Sequence, residues 1–484
     1  MIKAKVYIYL MVLTVALILP FLGAVHLFDW DEVNFAECAR EMIETGDYTQ
    51  VMINFVPFWE KPPLFIWMQA ISMKAFGISA FAARLPNVFA AFFTFAFLYK
   101  SGKELKRSRF GWIWVIAYAG SFLPNIYFHS GIIDPWFNLF IVMGLYFGFK
   151  GLKSGQLKYY LISGTLVGLS ILTKGPVGLI LFSVPLVLFI LLNRKEVLPK
   201  WSGILSFVVS FLSIGGLWFF LLMIQGKEQV IYDFIDYQIR LFQTKIIHYS
   251  SLCYFPITFI AASYVFDKLE NKLSLKASAR MILIGLIVLG VMFTLTAWLL
   301  NHPEYILNNF KTDSFTRDSL SQNLAPSLLF YLPGVVAFSA ALLLYFNFLK
   351  EQNTWVLLGG SLTIAIGILT LIPVVQRIEH YSQRGHVALC KSIQKQNNAL
   401  IHPIGFKSFV PLFYGLQSGT IMKNDLEAMD EFNLVNSKGL NRLVFFTSKA
   451  YKKKEILQLY PNLTCIEEQG GFCLYCKKDQ KLLK

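Results

Sequence analysis

The chain has 484 residues, 55% hydrophobic and only 15% charged, with 44 Lys and Arg against 29 Asp and Glu for a formal net charge of +15. That apolar content exceeds what a soluble core needs and points to the bilayer. The positive excess reads as membrane topology and attraction to anionic headgroups, and not as nucleic-acid binding.

A transmembrane helix needs about 20 mostly apolar residues. Eleven stretches approach this: 6–28, 78–99, 110–128, 131–150, 159–173, 176–193, 202–224, 252–266, 281–300, 327–349 and 354–375, with 159–173 and 252–266 the shortest. The first carries Lys3 and Lys5 ahead of an apolar run that is long for a signal peptide and lacks a clean cleavage site, so it is expected to stay as a span.

Next comes loop 29–77, far longer than the other connections, and long loops usually carry function. Residues 31–45 predict a helix with Phe35, Ala39, Met42 and Ile43 on one stripe and Glu37, Arg40, Glu41 and Glu44 on the other, expected to lie flat in the membrane interface and to stop at Gly46. The cluster Asp29-Trp30-Asp31-Glu32 opens that helix, and spacing alone favours a cap at Asp29 or Asp31 with Glu32 answering the helix dipole. Further on, Glu60-Lys61-Pro62-Pro63 reads locally as an ion pair followed by a proline helix start.

If the N-terminus is inside, every inside loop is basic: Lys103, Lys106, Arg107 and Arg109; Lys150, Lys153 and Lys158; Arg194, Lys195 and Lys200; Lys268, Lys272, Lys276 and Arg280; then Lys350. The odd span count then puts 376–484 outside. Leu443–Thr447 and Gly471–Tyr475 read as strands, and Asn424–Phe432 and Ala450–Leu459 as short helices, which predicts a small soluble α/β domain. Six cysteines form no framework, and Cys473-x-x-Cys476 without a second pair is weak evidence for metal or redox work. His26, His129 and His248 have no ligand spacing and read as structural or interfacial, so no metal ligand is assigned.

Asp31-Glu32 after the first span, the run Ala36-Glu37-x-Ala39-Arg40-Glu41-Met42, and Glu60-Lys61-Pro62-Pro63-Leu64 together resemble the membrane glycosyltransferases that use polyprenyl-phosphate-linked sugars, typified by the lipid A aminoarabinose transferase and the dolichyl-phosphate-mannose protein mannosyltransferases. Ala82-Ala83-Arg84-Leu85-Pro86, Asp134 and Leu172-Thr173-Lys174-Gly175-Pro176 continue the match. The resemblance implies a C-type glycosyltransferase-like bundle of about eleven spans over 1–375, in the cell inner membrane, with a periplasmic C-terminal domain over 376–484. It implies transfer of a sugar from a polyprenyl-phosphate donor to a lipid, glycan or protein acceptor, with inversion at the anomeric carbon. Asp31 would be the general base, Glu32 would orient acceptor or donor, and Glu60 would line the site or hold a divalent ion. Lys61 would bind the lipid phosphate, with Arg84, Lys174 and Arg240 as further cations and Asp134 as a nearby acid.

The sequence departs from the family after span seven, where Phe234–Phe242 runs directly into Thr244-Lys-Ile-Ile-His-Tyr249 and two spans are expected to be missing. Tyr237 stands where some relatives carry a metal-binding histidine, which weighs against a metal at Glu60. An inactive relative and a lipid or sugar transporter stay open as alternatives.

Overall fold

A computed structural model describes residues 2–193, 199–244, 250–271, 273, 276–322, 324–349, 367–396, 399–416, 434–435 and 443–478. The chain runs through α1 (Ile2–Ile18), α2 (Asp31–Thr45), the hairpin β1 (Met52–Ile53) and β2 (Val56–Pro57), then α3 (Leu64–Phe76), α4 (Ala80–Leu105), α5 (Ser108–Ala119), α6 (Phe122–Phe128), α7 (Asp134–Ser154), α8 (Leu157–Lys174) and α9 (Val177–Leu192). It continues with α10 (Trp201–Gly215), α11 (Leu217–Ile224), α12 (Glu228–Thr244), α13 (Tyr254–Glu270), α14 (Lys276–Asn301), α15 (Pro303–Asn309), α16 (Ser314–Leu320) and α17 (Leu332–Leu349).

Helices cover the expected stretches up to 349, while 354–375 and the expected helix Asn424–Phe432 lie largely or wholly outside the described residues. Among the described residues, length and apolarity alone qualify four helices to cross a bilayer, Ala80–Leu105, Ser251–Glu270, Ala279–Asn301 and Leu328–Phe346, or five if α10 and α11, bent by 50°, form one broken span. The expected eleven are not confirmed on this criterion; locally, the first helix stops at Ile18, and 110–128 is broken at Gly120-Ser121 into α5 and α6.

Glycines set the closest helix contacts. A side chain at Gly168 of α8 would meet the Gly215 backbone nitrogen of α10 at 2.8 Å, and one at Gly164 would collide with the Phe207 carbonyl. This small-xxx-small spacing is how membrane helices approach when hydrophobic burial cannot drive them together.

The C-terminal region builds a four-stranded sheet from β3 (Ala399–Pro403), β4 (Leu443–Lys449), β5 (Leu463–Gln469) and β6 (Phe472–Lys477), in the order β3-β4-β6-β5. β3 pairs parallel to β4, and the other pairs are antiparallel. Gly470 and Gly471, at φ 59° and 81°, make the two-residue turn between β5 and β6. Both expected strands are present, and the expected helix at 450–459 is a 3₁₀ turn followed by Lys453–Leu459.

One buried cluster joins Val33, Ala36 and Ala39 of α2 and Ile66 of α3 to Val387, Ile401, Phe445 and Leu474 of the C-terminal region. The α2 helix is thus held inside protein, where a surface-lying helix was expected.

Gly168→Leu should lower the melting temperature of the detergent-solubilised protein, by an amount corresponding to about 1–3 kcal/mol of overpacking, and Gly168→Ala by less. Unchanged melting of the leucine variant would show that the α8–α10 approach is not this close.

Candidate active site

The first loop reaches its position through buried ion pairs. α2 ends at Gly46, φ 71°, as its sequence predicts, but no side chain caps its start: Trp30 occupies the N-cap position at φ 77° and ψ −109°. Asp29 Oδ1 accepts the amides of Trp30 at 2.9 Å and Phe409 at 3.4 Å. The expected cap at Asp29 or Asp31 is therefore corrected, and both acids are left for other work.

The polar stripe of α2 is also internal. Glu37 and Arg40 form a paired, bidentate contact at 2.6 and 2.8 Å, with both side chains buried. Glu41 accepts the amides of Asn54 and Phe55, residues held at φ 57° and 56° in the β1–β2 turn. Burial, and then the Glu37 charge, raise the Glu41 carboxyl well above its ordinary range. With its charges satisfied by neighbours, the helix has no need of water on its polar side.

Glu32 and Arg84 form the central pair. Arg84 Nε and Nη2 donate to the two carboxylate oxygens at 2.8 Å each, and its remaining donors reach the carbonyls of Leu22 at 2.9 Å, Val25 at 2.8 Å and His26 at 3.1 Å. All five guanidinium N–H groups are thus used inside the protein. Glu32 also accepts the amides of Phe28 and Gly131. Burial pushes the Glu32 carboxyl upward, but the Arg84 charge and hydrogen bonds and these amides hold it below its ordinary range. Through these bonds the Glu32–Arg84 pair joins the start of α2 to the chain at Leu22–His26 and at Gly131.

Asp31, one residue earlier, keeps solvent exposure. The surrounding protein nonetheless raises its carboxyl pKa by desolvation; Lys61 and Lys174 oppose the rise, and Asp134 and Glu60 add to it. Four of the expected site residues therefore share one electrostatic neighbourhood with Asp31. Lys174 at the end of α8 donates to Asp134 at the start of α7 at 2.8 Å, with both side chains 16% exposed. The α12 helix supplies residues that the motifs do not mark as functional: Tyr237 Oη donates to Glu60 Oε2 at 3.1 Å, Gln238 Nε2 to the Glu60 carbonyl at 3.4 Å, and Lys61 Nζ lies 5.8 Å from the Tyr237 ring. Arg240, on the exposed side of the same helix, pairs with Asp236 at 2.8 Å.

The Tyr237 hydroxyl donates its proton to the Glu60 carboxylate, and among the described residues no group of three His, Cys, Asp or Glu ligand atoms gathers at Glu60. Of the histidines, His26 bridges Glu379 and Lys391 at 2.9 Å each, and His129 Nδ1 contacts the Asn125 carbonyl at 2.8 Å; His248 lies outside the described residues. An apolar cavity of about 250 Å³ lies beside the Glu32–Arg84 pair, lined by Phe21, Ile126, Ile372 and Val375 among others.

This helical bundle, with its acid-bearing first loop and C-terminal sheet, has a counterpart of the same fold among solved structures. It superposes on the crystal structure of ArnT from Cupriavidus metallidurans in the apo state with a TM-score of 0.70 at 16% identity, covering 98% of this chain and 97% of that one. For ArnT bound to undecaprenyl phosphate the TM-score is 0.68. In sequence, residues 60–219 match the family described as Dolichyl-phosphate-mannose-protein mannosyltransferase. The undecaprenyl phosphate-alpha-4-amino-4-deoxy-L-arabinose arabinosyl transferase of Photorhabdus laumondii is 30% identical over 203 residues, 40% of this chain and 36% of that protein. Its counterpart in Shewanella sediminis is 28% identical over 190 residues, 37% and 34% of the two chains. The chain thus spans about a third of the length of these curated relatives. The family that the motifs resemble is the one these comparisons return. Glu60, Lys61, Arg84, Asp134 and Lys174 fall inside the matched region, and Asp31 and Glu32 precede it.

Removing Arg84 leaves a buried carboxylate without its partner, which costs about 3–5 kcal/mol. Arg84→Met should therefore lose most folded protein in a detergent thermal-shift assay, and Glu32→Gln should lose less because the amide keeps some of the contacts. The depressed Glu32 pKa stabilises the fold fully above about pH 4.3, and this contribution disappears as pH falls through the lower folded value. Similar melting of Arg84→Met and wild type would show that the pair is not structural.

Proposed function

We propose that the protein is an inverting glycosyltransferase that moves a sugar from a polyprenyl-phosphate donor to a hydroxyl or phosphate acceptor on a lipid, glycan or protein at the outer face of the cell inner membrane. Residues 1–375 would form the transmembrane catalytic unit of about eleven spans, and 376–484 a periplasmic unit closing over loop 29–77. The observation that carries this reading is the gathering of Asp31, Glu60, Lys61, Asp134 and Lys174 into one electrostatic group.

Asp31 takes the proton of the acceptor hydroxyl as its oxygen forms a bond to the anomeric carbon, and the bond from that carbon to the phosphate oxygen breaks. The electron pair leaves on the polyprenyl phosphate, already a good anion, so a second carboxylic acid to protonate the leaving group is not required. Lys61 and Lys174 stabilise the phosphate charge, with Arg240 as a further cation on the same outside segment. Asp134 holds Lys174 through their 2.8 Å pair. Glu60, fixed by Tyr237 and Gln238, lines the sugar. A raised Asp31 pKa suits a base, because proton affinity grows as the group approaches the working pH. The nearby apolar cavity offers room for part of a lipid chain.

Asp31→Asn should reduce transfer from a lipid-linked donor by at least about 10²-fold, the low end of general-base catalysis, with insertion and melting unchanged. Wild-type activity in that variant would remove Asp31 from the role.

The acid limb of the pH profile should have its midpoint above the ordinary aspartate range. Asp134→Asn removes a charge that raises the Asp31 pKa and should move the limb to lower pH. Lys174→Met removes one that lowers it and should move the limb to higher pH. Shifts in the opposite directions would assign the titration to another group.

A further inference from the structure

The Cys-x-x-Cys of the last strand is not a unit in the fold. Residues three apart on a strand point to opposite faces. Cys476 packs with Val387 and Leu389, and Cys473 with Ile456 and Tyr475 on the other side. The fold instead brings Cys473 to residues of the neighbouring edge strand. Glu468 is its cross-strand partner, and Cys465 lies diagonally beyond an irregularity between Cys465 and Glu467. The ligand atoms of Cys465, Glu468 and Cys473 all lie within 4.8 Å of one another.

We propose that Cys465, Glu468 and Cys473 form a binding site for one thiophilic divalent cation, zinc, which staples the edge strand β5 to β6. Tetrahedral zinc with sulfur at about 2.3 Å places two such ligands about 3.8 Å apart, so the group needs a contraction of an ångström or less to close on the ion. A disulfide fits less well. Diagonal positions in a regular ladder are roughly 7–8 Å apart at Cα, at or beyond the reach of an unstrained bridge.

Charge also matches. Two thiolates and a carboxylate around a divalent cation leave one negative charge, and Lys453 Nζ, donating to Glu468 Oε2 at 2.9 Å, supplies the balancing positive one. Cysteine binds zinc as the thiolate, so binding competes with protons and strengthens as pH rises. The fourth tetrahedral position is left to water.

The test uses the full-length protein in detergent, stripped with a chelator and titrated with zinc, and separately with cobalt, whose sulfur charge-transfer band reports thiolate ligands. One zinc per chain is expected, with the cobalt band present. Cys465→Ser should abolish both, Glu468→Gln should weaken zinc binding about tenfold or more, and Cys253→Ser, at an exposed position outside the site, should change neither. Cys465 and Glu468 are not buried, so these variants remain informative where Cys473→Ser fails to fold. Substoichiometric zinc, zinc binding unaltered in Cys465→Ser, or a Cys465–Cys473 disulfide found by peptide mass in the protein as isolated would each overturn the site.

Discussion

The buried pair between Glu32 and Arg84 is the constraint on which the first loop depends. Removing two charges from water is expensive, and the cost is offset only where geometry and further hydrogen bonds are nearly complete. Here the guanidinium has spent every donor and the carboxylate accepts two backbone amides besides. The carbonyls of Leu22, Val25 and His26 tie the turn after α1 to the start of α4, and Gly131 brings in the approach to α7. Three separate segments are thereby fixed around Glu32, the second residue of α2.

That fixing separates the roles of two adjacent acids. Glu32 is held ionised below its ordinary range, and Asp31 is raised above its own. The same side-chain chemistry becomes an anchor in one environment and a base candidate in the other, because both carboxylates are desolvated but only Glu32 receives a bidentate arginine that overcomes it. A helix periodicity cannot distinguish them, since both sit in the first turn.

The legible and illegible parts of the sequence divide along this line. Gly46 as a stop, Pro62-Pro63 before α3, the strands at 443–449 and 472–477, and the apolar stretches that became helices were readable because each depends on local chemistry. The burial of Glu37, Arg40 and Glu41 was not readable: a charged stripe looks solvated until its partners, supplied by the same helix and by the β1–β2 turn, are known. Asp31, Glu60, Lys61, Asp134 and Lys174 lie more than 140 residues apart at their extremes, so their shared electrostatic neighbourhood could not be read from spacing. The motif resemblance did not anticipate that Tyr237 would bind Glu60 through its hydroxyl.

The C-terminal region takes part in holding the loop. Leu27 donates its amide to Tyr414 Oη at 2.8 Å; Gln383 bridges the Asp29 amide at 2.9 Å and the Leu27 carbonyl at 2.8 Å; and Asp29 Oδ1 accepts from Phe409. Lys407 Nζ lies 5.4 Å from the ring of Trp30, the residue whose left-handed backbone turns the chain into Asp31. A non-glycine residue in such a conformation is retained only where its surroundings over-determine it. Here those surroundings come from residues more than 350 positions further along the chain. A boundary drawn on hydropathy at 375 marks where the chain leaves its apolar stretches, but the unit that fixes Asp31 includes both sides of it.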